Sequence, residues 1–291
     1  MREQLSYWKQ QLNGAPPVLE LPSARPRPEV QTFRGARHSF TWDAELTASL
    51  KALSRREGVT LFMILVSAFK TLIYRMTEQT DILIGVPIAG RGRAETEELI
   101  GCFINTLVLR TDLSGNPSFI DLLHQVRETT LGAYTHQDLP FELLVEALHV
   151  ERSLSYMPLV QVLFDFINVP PADVPVLPGL SASALEGSLQ TAKQDLIVDM
   201  YETDDRLSGS VEYKTDLFEA SAIERLLRSY ETLLRNIVDQ PHARLHDLNY
   251  LTTTEIQQQL EVELQHKQIE RERFMHITPK TVVLGGVVNQ T

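Results

Sequence analysis

The sequence is poor in the features that define several large protein classes. It has a single cysteine, Cys102, in 291 residues, which excludes an internal disulfide and a thiolate metal cluster. No stretch reaches the roughly 18 apolar residues that a membrane span needs, and the first residues lack the apolar core of a signal peptide. Lysine- and arginine-rich blocks are missing and the net charge is −11, which argues against a nucleic-acid partner. These absences predict a cytoplasmic protein that binds neither membrane nor nucleic acid.

Signatures of metal and nucleophile chemistry are missing as well. The eight histidines show no metal-ligand spacing, and no Gly-x-Ser-x-Gly elbow is present. Residues 85–92 have the glycine spacing of a phosphate-binding loop but lack its lysine and hydroxyl residue. We interpret the basic turn at Arg91 as a solvated loop, with contact to an anionic carrier or substrate as the alternative. Cys102 lies in an apolar run and is predicted to be a buried, inert thiol.

The residues that are present predict a mixed fold with a sizeable core. Apolar residues make up 43% of the chain and charged residues 22%, as in ordinary globular proteins. Apolar spacing predicts helices over residues 1–12, 46–58, 60–72, 116–134, 140–148 and 220–238. Compact or alternating apolar runs predict strands at 36–42, 81–88, 105–110, 161–167, 195–201 and 207–213, with a proline-rich loop at 169–179. Because helices and strands do not alternate strictly, the fold class is α/β or an α+β sandwich.

The segment from His136 to Glu142 is the densest polar cluster of the chain. Asp138, near the start of a predicted helix, is expected to accept free backbone N–H groups, and Pro140 preorganises the first turn. Glu142 places negative charge at the positive end of that helix. This structural interpretation explains most of the segment, and a general-base role for His136 is the less favoured alternative.

Three segments in fixed order, 100–106, 136–142 and 158–164, together resemble the second half of a condensation domain of nonribosomal peptide synthetases. The resemblance continues in Tyr7-Trp8 and in residues 21–28, 59–63, 81–91 and 212–218, and it extends to about Leu251. It implies a fold like chloramphenicol acetyltransferase, in which two related lobes meet at a tunnel. Residues 1–251 then correspond to the C-terminal lobe.

The resemblance also implies a reaction and a set of tunnel residues. Peptidyl carrier proteins present thioesters on phosphopantetheine arms from opposite ends of the tunnel, and a histidine of the first lobe assists amide formation. No cofactor or metal is expected to bind directly. The matching lobe-two residues, which are expected to shape the tunnel, are Asn105, Thr106, His136, Gln137, Asp138, Pro140, Phe141, Glu142, Pro158 and Gln161.

The family's catalytic signature, His-His-x-x-x-Asp-Gly, appears nowhere in the sequence. The chain is therefore expected to contain no catalytic residue, to be inactive alone, and to need a separate N-terminal lobe or another synthetase module. A gene fragment, a split protein and a truncated reading frame all remain open. The alternative is a noncatalytic module that binds carrier proteins or a synthetase. Residues 252–291 are expected to be a linker or the start of a truncated downstream module, since 271–284 resembles the opening of hydroxylase-like modules.

Overall fold

A computed structural model describes residues 1–23, 25–92, 94–97, 99–167, 190–257, 261, 264–265 and 267. The chain divides into two compact units, Met1–Tyr250 and Leu251–Thr291. In the second unit a helical turn over 253–257 begins at Thr252, which forms a capping box with Glu255. The predicted loop at 169–179 and most of the predicted linker lie outside the described residues.

One six-stranded sheet forms the centre of the first unit. Its strands are β1 Gly35–Thr41, β2 Asp81–Ile88, β3 Asn105–Asp112, β4 Val162–Ile167, β5 Leu196–Thr203 and β6 Arg206–Lys214. Their order is β1-β6-β5-β4-β2-β3, and β4 runs parallel to both neighbours while the other pairs are antiparallel. The predicted strands are all present, with their ends displaced by at most two residues. The hairpin of β5 and β6 turns at Asp204 and Asp205, both in the left-handed region that a two-residue turn requires.

The helices of the described residues are α1 Arg2–Leu12, α2 Ala44–Glu57, α3 Leu61–Thr77, α4 Ala94–Glu97, α5 Phe119–Thr135, α6 Phe141–Ala147 and α7 Ala220–Asp239. Helix α3 is buried from Phe62 to Tyr74, and α2, α5 and α7 pack around it. Helices α1 and α6 pack against each other, and α6 reaches β3. This arrangement confirms the predicted mixed α/β class.

The start of α5 differs from its prediction. The predicted helix begins at Asn116, but α5 begins after Ser118, which caps it and forms a capping box with Asp121. The serine has an acid three residues ahead, so that both ends of the box are satisfied. Asn116 instead adopts a left-handed backbone and accepts a hydrogen bond from the amide of His246.

Within the described part of the chain, no single helix is both long enough and apolar enough to cross a membrane. The pair Ala44–Glu57 and Leu61–Thr77 meets both requirements only in combination, with a bend of 105° between the two helices.

Charged groups are buried at two places that sequence analysis did not identify. Lys70, which is fully buried in α3, donates hydrogen bonds to the Leu109 carbonyl at 2.8 Å and to Thr111 Oγ1 at 2.5 Å. Asp195 is also buried and bridges Lys214 at 3.0 Å and Arg27 at 2.5 Å. The second group ties residues 13–34, the segment between α1 and β1 that we call the N-terminal connector, to the beginning of β5 and the end of β6.

Candidate functional site

Asn105, the first residue of β3, holds the segment 136–142 against the sheet. Its Nδ2 donates to the carbonyls of Gln137 and Leu139, both at 2.9 Å. Its Oδ1 accepts from the amides of Phe141 at 3.0 Å and Thr106 at 2.9 Å. All of the hydrogen-bonding capacity of this side chain is therefore used.

The cap of α6 comes from a different residue than predicted. Asp138 does not accept the free amides of the helix; its carboxylate accepts from Gln4 Nε2 at 3.3 Å. Asn105 satisfies the first amide, that of Phe141, from another strand. Pro140 is the last residue before the helix, so Asp138 lies two residues too early to cap it.

His136 ends α5 and packs toward the N-terminal helix. Its ring stacks on Tyr7 with a centroid distance of 3.8 Å and an interplanar angle of 4°. Its Nδ1 lies 2.8 Å from the Gly132 carbonyl, and its own carbonyl accepts from Trp8 Nε1 at 2.8 Å. These contacts engage both the ring and the backbone of His136 in packing between α1 and α5.

Two adjoining clefts lie beside the ends of β2, β3 and β4. We name the first the Asp165 cleft; it has a volume of about 710 Å³. Its lining is apolar except for a few polar groups, and comprises Thr60, Leu61, Phe62, Val86, Pro87, Ile88, Ala89, Ile104, Tyr134, Asp165, Phe166 and Ile167. Small-molecule sites in proteins have this size and this predominance of apolar lining.

The second cleft, which we name the Asn105 cleft, has a volume of about 620 Å³ and shares Ile104 with the first. It gathers several of the predicted tunnel residues. Its lining comprises Gly90, Gly92, Thr96, Cys102, Phe103, Ile104, Asn105, Gln137, Asp138, Pro140 and Glu142. The prediction that Cys102 is buried is wrong, because its apolar run forms an exposed loop instead of a core segment.

The remaining predicted residues lie outside these two clefts. Thr106 pairs with Pro87 in the ladder of β2 and β3. Pro158 and Phe141 line a separate cleft of about 310 Å³, which Glu142 also borders. Gln161 is buried and holds the connector: its Oε1 accepts from the Leu19 amide at 2.8 Å.

Arg91 is engaged in the loop that borders the Asn105 cleft. Its guanidinium lies 4.6 Å from the Phe103 ring centroid and donates to the Gly101 carbonyl at 3.2 Å. At Gly90, φ is +63°, and a Cβ would approach the Phe103 carbonyl oxygen to 1.8 Å. Only glycine fits this turn. Gly90 and Gly92 are exposed, as predicted for a solvated loop, while the side chain of Arg91 packs on Phe103.

Acidic side chains form a row across the strands next to the Asp165 cleft, which sequence analysis missed. Asp165 on β4 and Asp199 on β5 are direct neighbours in the parallel register. Burial raises the pKa of both carboxyls, and the charge of Asp199 raises the pKa of Asp165 further. Arg37 pairs with Asp199 at 3.2 Å. The sequence signal for this row was an aspartate flanked by apolar residues in each of the two predicted strands that became β4 and β5.

Removal of the Asn105 side chain is expected to loosen the candidate site. Asn105→Ala leaves the carbonyls of Gln137 and Leu139 and the Phe141 amide without their partner, which costs about 2–3 kcal/mol of unfolding free energy. Urea unfolding followed by circular dichroism measures this loss. The control Asn13→Ala alters a side chain for which the structure shows no hydrogen bond, and it should leave the midpoint nearly unchanged. Equal midpoints for both variants would contradict the role of Asn105.

Comparisons with known proteins agree on one family. Residues 1–260 match the family model of the condensation domain. The chain is 52% identical over 258 residues to a linear gramicidin synthase protein of Brevibacillus parabrevis, covering 88% of this chain and 5% of that protein. It is 42% identical over 257 residues to malpibaldin synthetase of Mortierella alpina, covering 88% of this chain and 5% of that protein.

Solved structures give the same fold. The X-domain from teicoplanin biosynthesis superposes with a TM-score of 0.81 at 28% identity, over 86% of this chain and 57% of that one. Holo-AB3403, a four-domain nonribosomal peptide synthetase bound to AMP and glycine, superposes with a TM-score of 0.79 at 26% identity, over 87% of this chain and 20% of that one. The chain therefore spans little more than half of the X-domain structure and a small part of the synthetases.

Proposed function

The chain belongs to the condensation domain family of nonribosomal peptide synthetases, and from this premise we propose that residues 1–251 act as the C-terminal lobe of such a domain. The family forms amide bonds between carrier-bound aminoacyl or peptidyl thioesters. The acceptor amine attacks the donor carbonyl, the C–S bond breaks, and the carrier thiol leaves with the proton that the amine gives up. The 291 residues contain no His-His-x-x-x-Asp-Gly, so we assign the base for this step to an N-terminal lobe that carries this motif.

The observation that carries the proposal is the pair of adjoining clefts at the sheet ends. Together the two clefts form a wall, and their volumes are large enough for a pantetheine arm and its acyl group. Asn105 fixes one part of this wall by its four hydrogen bonds. Peptidyl carrier proteins are the proposed partners, and phosphopantetheine reaches the wall only as part of a carrier.

The apolar surface at this wall supports closure by a second lobe. Ile104 is 68% exposed, and Tyr134 and Ile167, which line the same cleft, are also exposed. Exposed apolar groups that adjoin one another are typical of surfaces that another protein segment covers. We assign this surface to the contact with the N-terminal lobe.

Ile104→Asp is expected to weaken association with a separately produced N-terminal lobe by at least about tenfold, because a charge would be buried in an apolar contact. Isothermal titration calorimetry measures the dissociation constant. Leu154→Asp is the matched control, since Leu154 is 73% exposed and lines none of these clefts. If Ile104→Asp binds as tightly as the unchanged chain, the lobe contact lies elsewhere.

A noncatalytic binding module is the second candidate. It is favoured by the missing histidine motif and by the likeness to the X-domain. The X-domain has been solved in complex with OxyB, and that structure superposes on this chain with a TM-score of 0.80. Titration with a phosphopantetheinylated carrier protein separates the two functions. Specific carrier binding without amide formation, even after an N-terminal lobe has been added, would favour the binding module.

A further inference from the structure

Among the described residues that line the Asp165 cleft, Asp165 alone is charged. Its side chain is partly buried and forms no ion pair with any described residue. The backbone of Phe166 is the hydrogen-bond partner that favours its charged form, and this influence on its pKa is smaller than that of burial. The other polar groups of the cleft include the Tyr134 hydroxyl, whose pKa is raised by burial and by the charge of Asp165. The carboxylate and the phenol are therefore neighbours in a predominantly apolar lining.

Among the residues that the structure describes, none supplies Asp165 with a counterion. Its direct neighbour in the strand register is Asp199, and the guanidinium of Arg37 forms its ion pair with Asp199. Residues 168–189, which follow β4 directly, contain no lysine, arginine or histidine. A carboxylate without a counterion in an apolar site costs free energy, which a cationic ligand recovers by supplying both charge and hydrogen-bond donors.

We propose that Asp165 binds a protonated primary amine of the aminoacyl thioester that enters this cleft. The inference rests on the proposed function, because it takes the carrier-bound thioester as the ligand of the cleft. The amine has two possible sources, the α-amino group of the aminoacyl unit or the amino group of a basic side chain. Both present an ammonium group, whereas N-acylated aminoacyl units with neutral side chains present none. Asp165 thereby favours amine-bearing substrates at this wall.

The test uses stable pantetheine amides, in which nitrogen replaces the thioester sulfur, and the full 291-residue chain labelled with ¹⁵N. Two matched pairs isolate the ammonium group: alanyl against N-acetylalanyl, and N-acetyllysyl against N-acetylnorleucyl. Chemical-shift titration at the amides of Ile104, Tyr134 and Phe166 gives the dissociation constants. At least one ammonium-bearing ligand should bind about tenfold more tightly than its neutral counterpart. The pair that shows the gain identifies the source of the amine.

Variants tie this gain to the carboxylate. Asp165→Asn, and Asp165→Ala as a second replacement, should abolish the difference within each pair. Asp204→Asn removes the same charge at an exposed turn whose left-handed backbone suits asparagine, and it should keep the difference. A gain that survives both Asp165 variants would overturn the assignment.

The outcomes for the inference and for the proposed function differ. If the neutral ligands shift the cleft amides and the ammonium adds nothing, the role of Asp165 is wrong while the cleft remains a substrate wall. If no ligand shifts these amides, the thioester does not occupy this cleft, and the assignment of the wall in the proposed function fails together with the inference. The inference is supported if the ammonium-bearing ligand binds more tightly than its neutral counterpart to the unchanged chain and, by the same factor, to Asp204→Asn. This difference must be lost in both Asp165 variants.

Discussion

Asp195→Asn is expected to lower the free energy of unfolding by about 3–5 kcal/mol, because it removes the only carboxylate of a buried ionic group. The side chains of Asp195 and Lys214 are 1% and 3% exposed. The asparagine amide oxygen can accept from only one of the two cations, Lys214 or Arg27, and its NH2 group then faces the other. Arg27 loses its ion pair, and its Nη1 is already buried without a hydrogen bond.

Urea unfolding followed by circular dichroism measures this effect. Glu224→Gln is the matched control, because it neutralises an acid whose pair with Arg228 spans 3.9 Å at the surface; it should change the free energy by less than about 0.5 kcal/mol. The double variant Asp195→Asn with Lys214→Met should recover part of the loss, since the unpaired ammonium is then gone as well. A loss below about 1 kcal/mol for Asp195→Asn would contradict a buried ionic tie between the connector and the sheet.

Lys70→Met is expected to abolish a rise of stability with pH. Burial lowers the pKa of Lys70 from its ordinary value to about 7, against the smaller opposing influence of Asp81. The unfolded chain therefore binds the proton more tightly than the folded chain between pH 7 and about 10.5, and unfolding becomes less favourable as pH rises through this window. Below pH 7 the lysine is protonated in both states and adds no slope.

The expected contribution of Lys70 between pH 7 and 9.5 is about 3 kcal/mol of unfolding free energy. Denaturant unfolding of both proteins at a series of pH values measures it, and the difference between them isolates Lys70 from other titrating groups. Burial raises the pKa values of four tyrosines, which moves their titration further above this window; they are Tyr7, Tyr134, Tyr213 and Tyr230. If the unfolding free energies of the two proteins change with pH in parallel, burial does not lower the pKa of Lys70 and the prediction is wrong.

Most helices and strands follow from local patterns. The run from Asp81 to Ile88 is a strand with the predicted ends, and Thr60 caps α3 by accepting from the Met63 amide. In both cases the residues that decide the structure lie within one turn or one strand of each other. Compact apolar runs and cap residues act at that range, so the sequence alone predicts them.

The contacts that the sequence did not predict join residues that are far apart in the chain. Asn105 caps a helix 36 residues away, which no local pattern indicates, and local reasoning therefore favoured Asp138. Arg27 and Asp195 meet across 168 residues. The prediction for Cys102 was wrong for another reason. An apolar run is buried only if it forms a core element, and this run is an exposed loop beside a cleft. The tunnel roles of the ten predicted residues stay predictions.

The central claim is that this chain forms a wall of an amide-forming channel and brings no base of its own. Mass spectrometry of reactions with two loaded peptidyl carrier proteins tests it most directly. We expect no amide product above the protein-free background from the 291-residue chain, and product once an N-terminal lobe with His-His-x-x-x-Asp-Gly is added. Amide product from the chain alone would contradict the account.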